Sequence, residues 1–108
     1  MKLVIDRSRW LHGEGANASY LLRETDGKMC CLGFLALQCG AVEDDIRASR
    51  EPSEVSIEWP ERLSEHATCL MIENDNIEDT DNEREAGLTT IFTKMGIEVE
   101  FVDGSPAP

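Results

Sequence analysis

The stretch Thr80-Asp81-Asn82-Glu83-Arg84-Glu85-Ala86-Gly87-Leu88-Thr89-Thr90-Ile91-Phe92-Thr93-Lys94-Met95-Gly96-Ile97-Glu98-Val99-Glu100-Phe101-Val102 decides the fold class. It changes period once. Leu88, Ile91, Phe92 and Met95 recur at i, i+3, i+4 and i+7, the spacing of one helix face. Thr80 and Glu83 form a capping box ahead of them, and Asp81 and Glu83 suit the positive end of a helix. Gly96 stops the helix. Ile97, Val99 and Phe101 then alternate with Glu98 and Glu100, which is the period of a half-buried strand. At the other end of the chain Lys2-Leu3-Val4-Ile5-Asp6 also reads as a strand, β-branched at its centre. Two strands at opposite ends with helices between them predict an α+β domain. The expected sheet is small and antiparallel, pairing the N- and C-terminal strands, with three to four helices packed on one face.

The middle of the chain supplies those helices. Met29 to Cys39 is apolar on nearly every side, and its length and Leu, Ala and Met content favour a buried central helix. Gly33 would admit a close neighbour and Gly40 would cap the end. Glu43 to Ser49 reads as a short acidic helix with Val42 as a staple residue and Ile46 facing inward. Glu61 to Glu73 is a further helix, with Leu63, Ala67, Leu70 and Met71 on one face and a polar loop, Asn74 to Asp79, after it. Arg7 to Ala18 is a loop, Ser19 to Arg23 a possible second strand, and Val55 to Trp59 a possible extended piece. The expected core is Leu32, Phe34, Leu35, Leu88, Ile91, Phe92, Val99 and Phe101. One domain spans 1–103, and 104–108 reads as a flexible tail.

The 108 residues carry 10 Lys and Arg against 22 Asp and Glu, a formal charge of -12. Through Val42 five bases meet four acids, whereas the remaining residues hold five bases and 18 acids. All of the excess negative charge therefore lies in the second part. Such a field repels phosphate, so direct duplex nucleic-acid binding is not expected. No apolar run approaches the roughly 20 residues of a membrane span. Leu3 to Ile5 is too short an apolar block for a signal peptide. A soluble protein of the cytoplasm is expected.

Catalytic and metal chemistry finds little support in the spacing. Cys30 and Cys31 are adjacent and Cys39 and Cys69 stand apart, unlike the Cys-x-x-Cys pairs of zinc sites. They read as small buried hydrophobes, with a redox or disulfide role as the alternative. His66 could approach Cys69 on a helix, but nothing completes a nucleophile and base. His12 lies beside Gly13-Glu14-Gly15, which lacks the frame of a phosphate-binding loop. The acidic run from Asn74 fits no EF-hand register, since neither Thr80 nor Asp79 supplies the glycine needed at the sixth position. No catalytic residue, metal or cofactor is assigned.

What the charge pattern does offer is an interaction surface. Asp75, Glu78, Asp79, Asp81 and Glu83 gather on one loop and helix start. Arg7, Arg9 and Trp10 form the one compact basic-aromatic group. That group is either a recognition patch or a place where Trp10 covers the core edge and Arg7 pairs with an acid.

Asp6-Arg7-Ser8-Arg9-Trp10, Asp26-Gly27-Lys28-Met29-Cys30-Cys31-Leu32-Gly33-Phe34, Glu73-Asn74-Asp75, Glu83-Arg84-Glu85 and Gly96 to Asp103, taken in order, resemble a family of small proteins encoded by tailed bacteriophages and prophages. The resemblance implies a source, a phage genome expressed in the host cytoplasm, rather than a reaction. The expected function is that of an acidic accessory protein binding a host or phage macromolecule without catalysis. Its partner would be a protein, such as a basic nucleic-acid-binding protein of the host. The alternatives are a DNA mimic that inhibits a host defence nucleoprotein, and an enzyme dependent on a cysteine or a divalent ion.

Overall fold

In the computed structural model, residues 1–104 are described. Strand β1 (Lys2–Asp6) is followed by helices α1 (Cys31–Gln38), α2 (Glu43–Ile46), α3 (Leu63–Asp75) and α4 (Asp81–Lys94), and then by strand β2 (Glu98–Val102). Among the described residues the architecture is α+β, with four α-helices and a two-stranded sheet. The strands run parallel, with Lys2 opposite Glu98 and Asp6 opposite Val102.

This corrects the expected antiparallel sheet. A parallel pair requires a long crossover, and the four helices between Asp6 and Glu98 provide one. The direction of β2 follows from α4, which ends in a tight turn at Met95 and Gly96 and sends the chain back over its own helix. Alternation within each strand carries no information about that direction. It does fix the two faces. Leu3 and Ile5 are buried beneath the sheet with Val99 and Phe101 packed beside them, while Lys2, Val4, Glu98 and Glu100 are exposed above it. Lys2 Nζ pairs with Glu100 Oε2 at 2.8 Å on the open face.

Helix α1 is the centre of the molecule, buried continuously from Cys31 to Ala36. It begins two residues later than the apolar run. Met29 is held outside by backbone bonds on both sides: its N–H donates to Arg9 O and its C=O accepts from Leu11 N, at 2.8 and 2.7 Å. Gly33 is required by close approach, because a Cβ there would overlap the Leu21 carbonyl oxygen. The Ser19 to Arg23 segment is not a strand. Leu22 makes one isolated bridge with Arg47, and Leu21 N donates to Ser49 O at 2.7 Å. Val55 to Trp59 is irregular after a single turn at Pro52–Glu54. Helix α2 is only one turn, and Val42 precedes it exposed. Leu32, Phe34, Leu35, Leu88 and Phe92 are buried as expected, whereas Ile91, Val99 and Phe101 are half-buried against that core. The expected tail falls, beyond Gly104, outside the described residues. No described helix is long and apolar enough to cross a membrane.

Candidate functional site

The acidic segment is built around two polar side chains that the fold buries. Asn74, in the last turn of α3, has no exposed surface. Its Oδ1 accepts from Trp10 Nε1 at 2.8 Å and from Cys31 N at 3.1 Å. Its Nδ2 donates to Leu11 O and to Asp75 Oδ1, each at 2.9 Å. A primary amide has two donors and two acceptor sites, and here all four are used. Asn74 thus ties α3 to the N-terminus of α1 and to the segment after β1. Trp10, Cys31 and Asn74, far apart in sequence, meet at this amide.

Arg84 is the second, at 3% exposure. Its Nη1 donates to Asp81 Oδ1 at 2.8 Å, and its Nη2 donates to the carbonyls of Asn76 and Asp79 at 2.6 and 2.9 Å. The guanidinium closes the loop between α3 and α4 from inside. Gly13 leaves room for it, since a Cβ there would sit 2.8 Å from Nη2.

These contacts sort the acidic residues by duty. Asp81 holds Arg84 and lies 3.3 Å from His12 Nε2. His12 in turn stacks on Trp10, with ring centroids 3.9 Å apart, and its Nδ1 lies 2.8 Å from Trp10 O. Glu83 completes the capping box: Thr80 Oγ1 accepts from Glu83 N, and Glu83 Oε1 accepts from Thr80 N. The bond from Thr80 N, with the Thr80 hydroxyl beside it, stabilises the ionised carboxylate and lowers the Glu83 pKa. Asp79 faces Glu73, whose pKa is raised by burial and then by this neighbouring carboxylate. Glu78 is exposed, and its carboxylate makes no ion pair or hydrogen bond among the described residues. Asp75 is half-buried. Desolvation raises its pKa, against the opposing hydrogen bonds of Asn74 and Ser19.

The basic-aromatic group does not form one patch. Trp10 is 2% exposed and faces the core. Arg7 forks onto Glu85 through Nε and Nη2 at 2.7 and 2.8 Å and reaches Asp103 through Nη1 at 2.9 Å. Arg9 spans Gly27 O at 3.0 Å and Glu43 at 3.6 Å.

Beside Asp75 runs a surface feature that the linear pattern did not reveal. Two adjoining depressions of about 500 Å³ each share Glu51, Thr68 and Met71, so they form one groove along α3. Trp59, Pro60, Ala67 and Met71 give it an apolar floor at one end, and Ile72 and Asp75 border the other. Ile72 is 64% exposed, a large apolar side chain facing solvent. Glu51 and Glu61 stand on the rim. The one guanidinium along it, Arg50, is engaged with the face and hydroxyl of Tyr20.

The thiols next to this groove are poor nucleophiles. Cys30 is 4% exposed and its pKa is pushed up to about 12 by burial. Cys31 is fully buried and shifted in the same direction for the same reason. Both therefore stay protonated at neutral pH. Among the described residues, no three His, Cys, Asp or Glu side chains converge as a metal site would require.

Compared with protein-family models, with curated proteins and with solved structures, the chain finds no match.

Proposed function

We propose that this protein acts by binding a basic protein segment, without catalysis, as an acidic accessory protein of a phage would in the host cytoplasm. The observation that carries the reading is the groove along α3. It combines apolar floor residues with carboxylates at Glu51, Glu61 and Asp75, and Asp75 is followed in the chain by the loop that carries Glu78 and Asp79. An apolar floor supplies affinity through buried area, and a rim on which three carboxylates outnumber the one guanidinium of Arg50 supplies orientation and speed of encounter. The net charge of -12 extends the same preference over the whole molecule.

The test uses synthetic peptides of Lys and Arg interspersed with Leu and Phe, titrated by fluorescence anisotropy at low and high salt. The expected result is saturable binding that weakens with salt, since exposed charges are screened beyond about 8–10 Å at physiological ionic strength. Joint replacement Asp75→Asn, Glu78→Gln and Asp79→Asn should weaken binding at low salt and matter less at high salt. Equal affinity of the triple variant at low salt would overturn the electrostatic part of the reading. Lack of binding to every basic peptide would overturn the whole.

A further inference from the structure

A two-stranded sheet leaves one edge of each strand open, and the hydrogen-bond phase shows which residues present it. Glu98 N donates to Met1 O at 3.0 Å, with Lys2 opposite Glu98. In a parallel ladder the N–H and C=O of a residue point to the same side, and successive residues alternate. Leu3 and Ile5 therefore spend their backbone groups on β2, while Lys2 and Val4 point theirs away from it, with Asp6 continuing the same phase. Among the described residues, no backbone group outside the sheet bonds the N–H or C=O of Val4. Val4 is also 43% exposed, one of the large apolar side chains left in solvent. An unpaired strand edge with an exposed apolar centre is a template for another strand.

We infer that the occupant of this edge is a second copy of the chain, β1 pairing antiparallel with its own twofold mate about Val4. The sequence of the edge is self-complementary in that register. Val4 meets Val4 of the mate as a hydrogen-bonded pair, and Lys2 falls opposite Asp6 of the mate on the same open face, twice by symmetry. Opposite charges directly across a ladder stabilise it and like charges destabilise it. The edge of β2 lacks this property. Self-pairing of β2 about its centre sets Glu100 against its own copy, and a register shifted by one residue sets Glu98 against Glu100. Two of the three central registers of β2 thus set like charges together, whereas β1 paired about Val4 sets opposite charges together. The product is a four-stranded sheet with β1 strands inside and β2 strands outside.

The test is sedimentation equilibrium across a concentration series. The wild-type chain should show a monomer–dimer equilibrium. Val4→Lys is the decisive variant. It adds a charge near Glu100, which is favourable within one chain, but sets two ammonium groups face to face in the pair. It should keep the circular dichroism of the parent and weaken dimerisation roughly tenfold or more. Lys2→Asp and Asp6→Lys should each weaken self-association. An equimolar mixture of the two should recover it, because both cross-strand pairs then have opposite signs. A wild-type monomer at high micromolar concentration would overturn the inference. So would a dimer that Val4→Lys leaves unchanged, or a mixture no tighter than its parts.

Discussion

Replacing Asn74 by Ala tests the central claim about this fold, that one buried amide holds three distant segments together. The substitution leaves three groups without a partner: the indole N–H of Trp10, the backbone N–H of Cys31 and the backbone C=O of Leu11. Each buried polar group left unsatisfied costs about 1–3 kcal/mol. Taking each near the low end, because water can enter the space vacated by the amide, the loss is roughly 3–5 kcal/mol. A domain of this length has about 5–15 kcal/mol in total, so the variant should be marginal. At about 4–8 °C per kcal/mol, the thermal midpoint should fall by roughly 12–40 °C. Urea unfolding followed by tryptophan fluorescence, in a Trp59→Phe background that isolates Trp10, reads both the loss and the local change. Asn74→Asp separates hydrogen bonding from volume. Its carboxyl can still accept from Trp10 and Cys31, but it faces Leu11 O and Asp75 without a donor once ionised. Burial and Asp75 should raise the pKa of that introduced carboxyl in the folded state. Its penalty should therefore be smallest in acid and grow as pH rises above about 4, the unfolded value of an aspartate. An Asn74→Ala protein within about 1 kcal/mol of the parent, with an unchanged urea slope, would refute the reasoning.

Two further outcomes follow from local geometry and charge. Ala48 holds φ +62° at an exposed position, a conformation costing a non-glycine residue about 1–2 kcal/mol. Ala48→Gly should therefore stabilise the protein by about 0.5–1 kcal/mol after the entropy of glycine is deducted, and a lower thermal midpoint would refute this. Asp75 has a folded pKa above its unfolded value, so the folded state holds the proton more tightly, and stability is lost as pH rises through that window. Asp75→Asn keeps an acceptor for Asn74 and removes this loss. It should gain stability relative to the parent at pH 7 but not at pH 3, and a gain equal at both would refute desolvation as the cause.

The elements that could be read along the chain are those whose determinants are local. The capping box of Thr80 and Glu83 is an i to i+3 arrangement, and α4 begins where it says. The alternation of Ile97 to Phe101 marks β2, and the apolar block Leu3 to Ile5 marks β1. The direction in which they pair depends on the path of α4, which no strand residue encodes. Arg7 and Arg9 flank Trp10, which leaves a recognition patch and a tryptophan at the core edge as alternatives along the chain; the indole turns inward, to an amide far along the sequence. The two buried polar residues lie where a helical stripe continues past its apolar members. In α3, position 74 follows Ala67 and Leu70 on the same helical stripe, and Leu70 and Asn74 are both fully buried. In α4, position 84 precedes Leu88 and Phe92 on theirs, and all three are buried. A polar side chain that occupies the next place of an apolar stripe is a candidate for burial, even where the surrounding residues are charged. Asn74 and Arg84 each sit one turn beyond the apolar residues, at the two ends of the loop that carries Glu78 and Asp79. Burying their polar groups fixes the loop from within, which leaves the Glu78 carboxylate exposed and without a partner among the described residues, while Asp79 faces Glu73.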